Sequence, residues 1–421
     1  MLRALDVPAG TPRMMGVSAD AAVLPMTTAS LLDPAAFDMP RDVLWLSHCK
    51  DGPLPRASAD AVQALMGVQL RPWELRWEED FLDVQRRLRH AAATLLAADA
   101  ADISLMTCTS SGLEAVAFGY PWQAGDEILI PAGEFPSNRL PWLALSRRGV
   151  QCREIDLWQP GQRPTARDAP EDRLIEAITP RTRMIAASWV RFQDGIKLDL
   201  QKLGAACRGA GVDLVVDAIQ GAGTTTLELT GVSALATGGH KGLLGLQGQG
   251  FLWTEPGFRQ KLVPLGTWLS GPEEFSQTSD PAPAADLWAT DGRRLEAGSP
   301  SILSCEALAS SLQLLLDCGG VAAIQAHVAS LQRQLLEQLA LGDGTWRAEA
   351  ARLMALLEQD RLGPTLCFAL PEERLARLLA TAEAQGIHSS VRLGYLRVAL
   401  HCWHDAEDVR RCVAWLLGTL D

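Results

Sequence analysis

Three runs, Ile128-Leu129-Ile130, Met184 to Ala187 and Leu214-Val215-Val216, are apolar throughout and show no alternation with polar residues. A strand with one wet face alternates; a strand covered on both faces does not. Segments with helical spacing separate these runs, among them 140–148, 171–178 and 198–211. Buried strands alternating with helices restrict the chain to an α/β fold with a mainly parallel sheet covered on both sides. Ligands of such sheets collect at the carboxyl ends of the strands. The turns at Thr109–Ser111, Glu134–Asn138, Ser188–Trp189 and Asp217–Gln220 are strand ends of that kind.

Residues 1–40 lack a period and read as an N-terminal arm. Residues 41–290 form a large domain, and 291–421 a smaller α+β domain. A net charge of −12 with scattered cations argues against a nucleic-acid partner. No apolar run reaches the roughly 18 residues that suggest a membrane span. The expected location is cytoplasmic, with the nine cysteines as small buried residues and no metal site.

Asp217 ends a buried strand, and an acid there is costly unless paired. Lys241 follows in the glycine turn Gly238-Gly239-His240-Lys241; it is one of only five lysines among 38 basic residues. A protonated ring nitrogen would pair Asp217, and an aldehyde would form an imine with Lys241. Thr109, Ser110 and His240 could take a phosphate where a strand turns into a helix; a plain helix cap is the competing reading of the two hydroxyls. Phe135 or Trp189 could cover a flat ring. A pyridine bearing an aldehyde and a phosphate satisfies all of these, and that is pyridoxal 5′-phosphate.

Several motifs then match one family: Gly125-Asp126-Glu127, Ser137-Asn138 with Pro141-Trp142, Asp217-Ala218-Ile219-Gln220, Gly239-His240-Lys241, Arg294 to Pro300, and Arg397 to His401. With these the chain resembles the class V aminotransferase superfamily, which holds cysteine desulfurases, kynureninase and isopenicillin N epimerase-like proteins. The resemblance implies fold type I: a mainly parallel, seven-stranded-type sheet with a smaller C-terminal domain. It implies that Lys241 is the catalytic, cofactor-binding lysine, Asp217 the partner of the ring nitrogen and Gln220 the donor to the ring hydroxyl. Thr109, Ser110 and His240 resemble the phosphate cradle. Ser299 resembles a phosphate contact given by a second subunit, which implies a homodimer with shared sites. Arg397 resembles the arginine that grips the substrate carboxylate. His48 could border the substrate, although an exposed turn histidine is an equal reading, and Arg392 could be a second anion contact.

Departures from the family pattern narrow the function. The loop Glu134-Phe135-Pro136-Ser137-Asn138 has a phenylalanine where desulfurases carry a proton-moving histidine. The segment Ser389 to Tyr395 is short and lacks their nucleophilic cysteine. Cys367 and Cys402 read as core. The expectation is an aminotransferase or epimerase-like enzyme acting at Cα of an amino acid. A C–S or C–C lyase stands second, and true cysteine desulfurase is disfavoured. A non-catalytic regulator lacks an appended DNA-binding module here, and a dinucleotide-binding enzyme lacks GxGxxG after its first strand.

Overall fold

The computed structural model describes residues 28–159, 161–264, 266–268, 270–271 and 288–419. The first 27 residues of the expected arm, and residues 272–287 near the end of the expected large domain, lie outside them.

Twelve strands are numbered along the described chain: β1 (Leu44–Trp45), β2 (Ile103–Met106), β3 (Glu127–Pro131), β4 (Gln151–Ile155), β5 (Thr182–Ser188), β6 (Asp213–Asp217), β7 (Ala234–Gly238), β8 (Gly250–Thr254), β9 (Thr365–Ala369), β10 (Ile387–His388), β11 (Ser390–Arg392) and β12 (Tyr395–Ala399). Seven form the main sheet in the order β2-β8-β7-β6-β5-β3-β4. Only β8 runs against its neighbours; the β3–β4, β3–β5, β5–β6 and β6–β7 pairs are parallel. This is the fold-type-I sheet that the motifs imply. β2, β3, β7 and β8 are buried at every position, which is why their sequences do not alternate. The edge strand β4 is only partly covered.

Three cores back this sheet and its companion; one of them packs Leu113 and Trp142 against Ile128, Ile130 and Val215 of the main sheet. Helices Asp83–Leu96 and Ile302–Asp317 contribute Leu88, Ala92, Leu308 and Leu312 to the main core, beside Leu214, Val216 and Phe251. The second core joins Leu331 and Leu335 of helix Gly320–Leu339 with Leu366, Phe368, Leu396 and Val398 of the antiparallel sheet β11-β12-β9. Leu44 and Leu46 belong to this second core. β1 pairs in parallel with β10, Leu44 against Ile387 and Trp45 against His388. The packing therefore does not divide at residue 290: helix Ile302–Asp317 puts Leu308 and Leu312 into the first core and Leu315 into the second, while Leu44 of β1 sits in the second. The described part of the arm is tied to the second core. The Leu31 and Leu32 amides donate to the Cys402 carbonyl, and buried Phe37 meets Trp403 edge-on at 5.1 Å. Helix Gly344–Glu358 was not foreseen; it packs Trp346 and Leu353 into the same core.

Some family motifs prove to be braces. Glu127 is held by Arg153, Arg181 and Thr179. Glu296 accepts the Leu105 amide at 2.9 Å and the Arg89 guanidinium, which ties the segment leading to Ser299 onto β2. Gly292 lies against β2 so closely that a Cβ would meet the Ile103 carbonyl at 2.3 Å.

Candidate active site

The parallel register aligns strand ends: Ser188 of β5 lies beside Asp217 of β6, and Asp217 beside Ala236 of β7. Asp217 is 2% exposed, and its Oδ1 accepts the Ile219 amide at 3.0 Å. No ion pair meets it among the described residues. Burial pushes its carboxyl up to about 7; the Ile219 amide and Lys241 oppose that rise, and Glu134 adds to it. Glu134 is a second buried acid, pushed upward by its own burial. It takes the Ser188 amide at 2.7 Å and the Ser188 hydroxyl.

Lys241 follows β7. Burial lowers its ammonium, while Asp217 pulls the other way. Its Nζ lies 5.9 Å from the centre of the Phe135 ring, which in turn meets Phe192 edge-on at 5.3 Å. The turn after β1 reaches this lysine from the second core. Gly52 donates to the His240 carbonyl at 2.8 Å, and a Cβ on Gly52 would stand 2.2 Å from the Lys241 carbonyl oxygen. The close approach explains why glycine stands there. Gln220 donates to the Cys49 carbonyl in the same turn, at 3.2 Å.

At the end of β2, helix Thr109–Gly119 begins with Thr109 buried. Ser110 donates to the Ser137 hydroxyl at 2.7 Å, and Ser111 closes back on Cys108. The first amides of a helix have no partner within it, so this end, with its hydroxyls, suits a phosphate. His240 is half-buried, and burial lowers its imidazole. An unpaired buried acid, a half-buried lysine, a ring near its amine and a hydroxyl-lined helix end together fit pyridoxal phosphate.

Arg397 on β12 is 5% exposed. Its Nε donates to Ser390 Oγ at 3.0 Å and its Nη1 to the Phe192 carbonyl at 3.1 Å. No carboxylate pairs with it among the described residues. Ser390 Oγ also lies 3.6 Å from the Cys49 thiol.

The other expected residues are less uniform. Trp189 is in the main core, where a Cβ on Gly221 would strike its indole at 2.7 Å. The expectation that this ring covers the cofactor is therefore corrected. Its part is a backbone one: its amide holds the Asp217 carbonyl at 2.9 Å. His48 is buried, not exposed, and meets His401 edge-on at 5.0 Å; burial first, then His401 and His404, hold its imidazole well down. Ser299 is exposed in this chain. Arg392 is exposed at the end of β11, its guanidinium 5.7 Å from the centre of the Phe192 ring. Leu393 and Gly394, both at positive φ, join β11 to β12. The segment that is short in sequence is thus a tight hairpin.

Sequence reasoning missed Cys49, Phe192, Ser390 and the acid role of Glu134. Only Glu134 carried a signal, a carboxylate three residues past a buried strand.

The profile of the family described as aminotransferase class V matches residues 76–411. A probable cysteine desulfurase of Pseudomonas putida is 32% identical over 76% of this chain and 78% of its own length. The isopenicillin N epimerase of Streptomyces clavuligerus is 30% identical over 73% and 76%. A probable cysteine desulfurase of Methanothermobacter thermautotrophicus is 28% identical, and the match spans 61% of each protein. Among solved structures, a C-DES mutant with glycine covalently linked to its pyridoxal phosphate superposes with a TM-score of 0.76 at 21% identity, over 92% of this chain and 99% of that one.

Proposed function

This chain belongs to the class V aminotransferase family, pyridoxal-phosphate-dependent enzymes of amino acids, and we propose that it is an aminotransferase or epimerase-like member acting at Cα. Lys241 would hold the cofactor, with Asp217 at the ring nitrogen, Phe135 over the ring, and Thr109, Ser110 and His240 around the phosphate. The bound cofactor supplies an electron sink that makes the substrate's Cα–H acidic.

Every other step belongs to side chains. The lowered basicity of Lys241 brings its amine closer to working pH, as a base that takes and returns the Cα proton needs. Asp217, kept from water, is costly as an ion until a cation faces it, so it would hold the ring nitrogen in its protonated form. Ser390 and the Phe192 carbonyl fix Arg397 on two of its donors, leaving the others for a substrate carboxylate. Buried Arg397, with no acid beside it among the described residues and within electrostatic reach of Lys241, is the observation that carries this reading. It supports a substrate carboxylate held next to the proton-moving amine.

One observation favours the second reading, a C–S or C–C lyase: the Cys49 thiol reaches Ser390 beside Arg397, although the β11–β12 hairpin holds no cysteine. A panel of amino acids assayed for keto acid, ammonia, released sulfur and α-proton exchange decides between them. Keto acid that requires an acceptor, or α-proton exchange alone, is expected. Ammonia or sulfur released without an acceptor sinks the first reading. Lys241→Ala should abolish every activity. The proposed assembly is a cytoplasmic homodimer in which Ser299 serves the partner's site. Mixing Lys241→Ala with Ser299→Ala subunits tests it, since one complete site should form per mixed dimer.

A further inference from the structure

Two arginines share one face of one hairpin. In the β11–β12 register, Ser390 lies opposite Arg397 and Arg392 opposite Tyr395. Side chains two apart on a strand, and those directly opposite, point the same way. Arg392 and Arg397 are therefore diagonal cross-strand neighbours, about 7–8 Å apart at their bases and within reach of each other's ligands. Both address Phe192: Arg397 donates to its carbonyl at 3.1 Å, and the Arg392 guanidinium lies over its ring at 5.7 Å. The Phe192 ring meets Phe135, and Phe135 faces Lys241 Nζ. An apolar row thus runs from the reactive amine to a second cation. Neither arginine has an ion-pair partner among the described residues. Asp194, the acid of the neighbouring loop, is already taken by Arg191 at 3.1 Å.

We propose that Arg392, seated on Phe192, is a second anion subsite, and that the substrate is an α-amino acid carrying a distal acidic group. This rests on the reading of Arg397 as the α-carboxylate anchor. The α-carboxylate takes Arg397, the methylenes lie along Phe135 and Phe192, and the distal acid takes Arg392. The tight turn at Leu393-Gly394 fixes the spacing of the two cations, because both are borne by strands it joins. A planar guanidinium resting on an aromatic face is pre-oriented for a carboxylate, which a lysine ammonium is not.

The test pairs acids with their amides on the cofactor-loaded enzyme: aspartate with asparagine, glutamate with glutamine. The acid should exceed its amide in kcat/KM by roughly tenfold, the scale of one partly solvated charge-assisted contact. Arg392→Gln should bring that ratio close to one through KM, Arg392→Lys should keep part of it, and Arg392→Glu should invert it. A second readout needs no turnover: calorimetry on the cofactor-free protein should show glutarate binding more tightly than valerate, with the difference lost in Arg392→Gln. Equal use of acid and amide, or a ratio unmoved by Arg392→Gln, overturns this inference alone. Failure of every amino acid to react overturns the functional reading as well.

Discussion

Replacing Asp217 by asparagine should make the cofactor-free protein more stable at alkaline pH. The folded carboxyl sits at about 7 against an ordinary 3.8, because burial penalises the ion. The folded state then binds the proton more tightly than the unfolded chain. Stability is fully present below 3.8 and is lost as pH rises to about 7. Each pH unit in that window costs about 1.4 kcal/mol, so wild type carries roughly 4 kcal/mol of strain at pH 8. Asparagine has nearly the same shape, keeps an oxygen for the Ile219 amide and has no charge to desolvate. About two of those pH units lie between 5 and 7, so the advantage of Asp217→Asn should grow by about 3 kcal/mol from pH 5 to pH 8. Urea unfolding of both cofactor-free proteins at the two pH values measures this. The buried histidines respond to pH in both proteins and cancel in the difference. A difference flat to within about 1 kcal/mol would refute the reasoning. The same variant should retain pyridoxal phosphate poorly, because the ring nitrogen loses its counter-ion. Stability gained where function is lost is the expected sign of a site held under strain.

Three further outcomes follow from the same geometry. Gly52→Ala puts a methyl where the Lys241 carbonyl already stands at 2.2 Å, so the lysine backbone must move; kcat should fall by about tenfold or more while the protein stays folded, as circular dichroism would show. Leu393 is 69% exposed and sits at φ 48°, so Leu393→Asn should raise stability by about 1 kcal/mol in thermal unfolding, and a loss would refute the strained-turn account. Burial lowers His401 to about 3 and His404 to about 4, so the unfolded chain binds protons first and stability must fall as pH drops below 6.5. In the Asp217→Asn background, the urea stability should decline by about 1.4 kcal/mol per pH unit per histidine between pH 6 and 5; a flat profile would contradict their burial as neutral rings.

Strands β2, β3, β5 and β6 were legible in the sequence as short apolar runs, each ending at a turn with a chemical residue, whereas β7 and β8 were not read as strands. Asp217 and Lys241 were readable for the same reason: each followed a buried strand in a segment that could not tolerate an idle charge. What stayed hidden came from tertiary proximity. Cys49 looked like one more small residue of a turn, and nothing local shows that β1 pairs with β10 and carries it to Ser390. Trp189 misled because its position at a strand end was right while its side chain turned into the core against Gly221. His48 left two readings open, a substrate neighbour or an exposed turn histidine, and the structure removes the second, since Trp403 and His401 cover it. Helix Gly344–Glu358 was overlooked because charged residues interrupt its apolar face, although Asp343 caps it through the Thr345 and Trp346 amides.

The pairing of β1 with β10 also bears on how the enzyme is made. His401 reaches the Gly242 carbonyl, the Leu46 carbonyl accepts the Ala399 amide, and the Gly52 turn rests on His240. The site is therefore closed by a piece near the start of the chain that finds its own strand partner only after residue 387 has been synthesised. A ribosome-bound chain can form β2 to β8 earlier, with Asp217 and Lys241 in place, but without its first turn seated. Removing residues 387–421 should therefore weaken the retention of pyridoxal phosphate, because the segment that carries the Gly52 turn loses its strand partner.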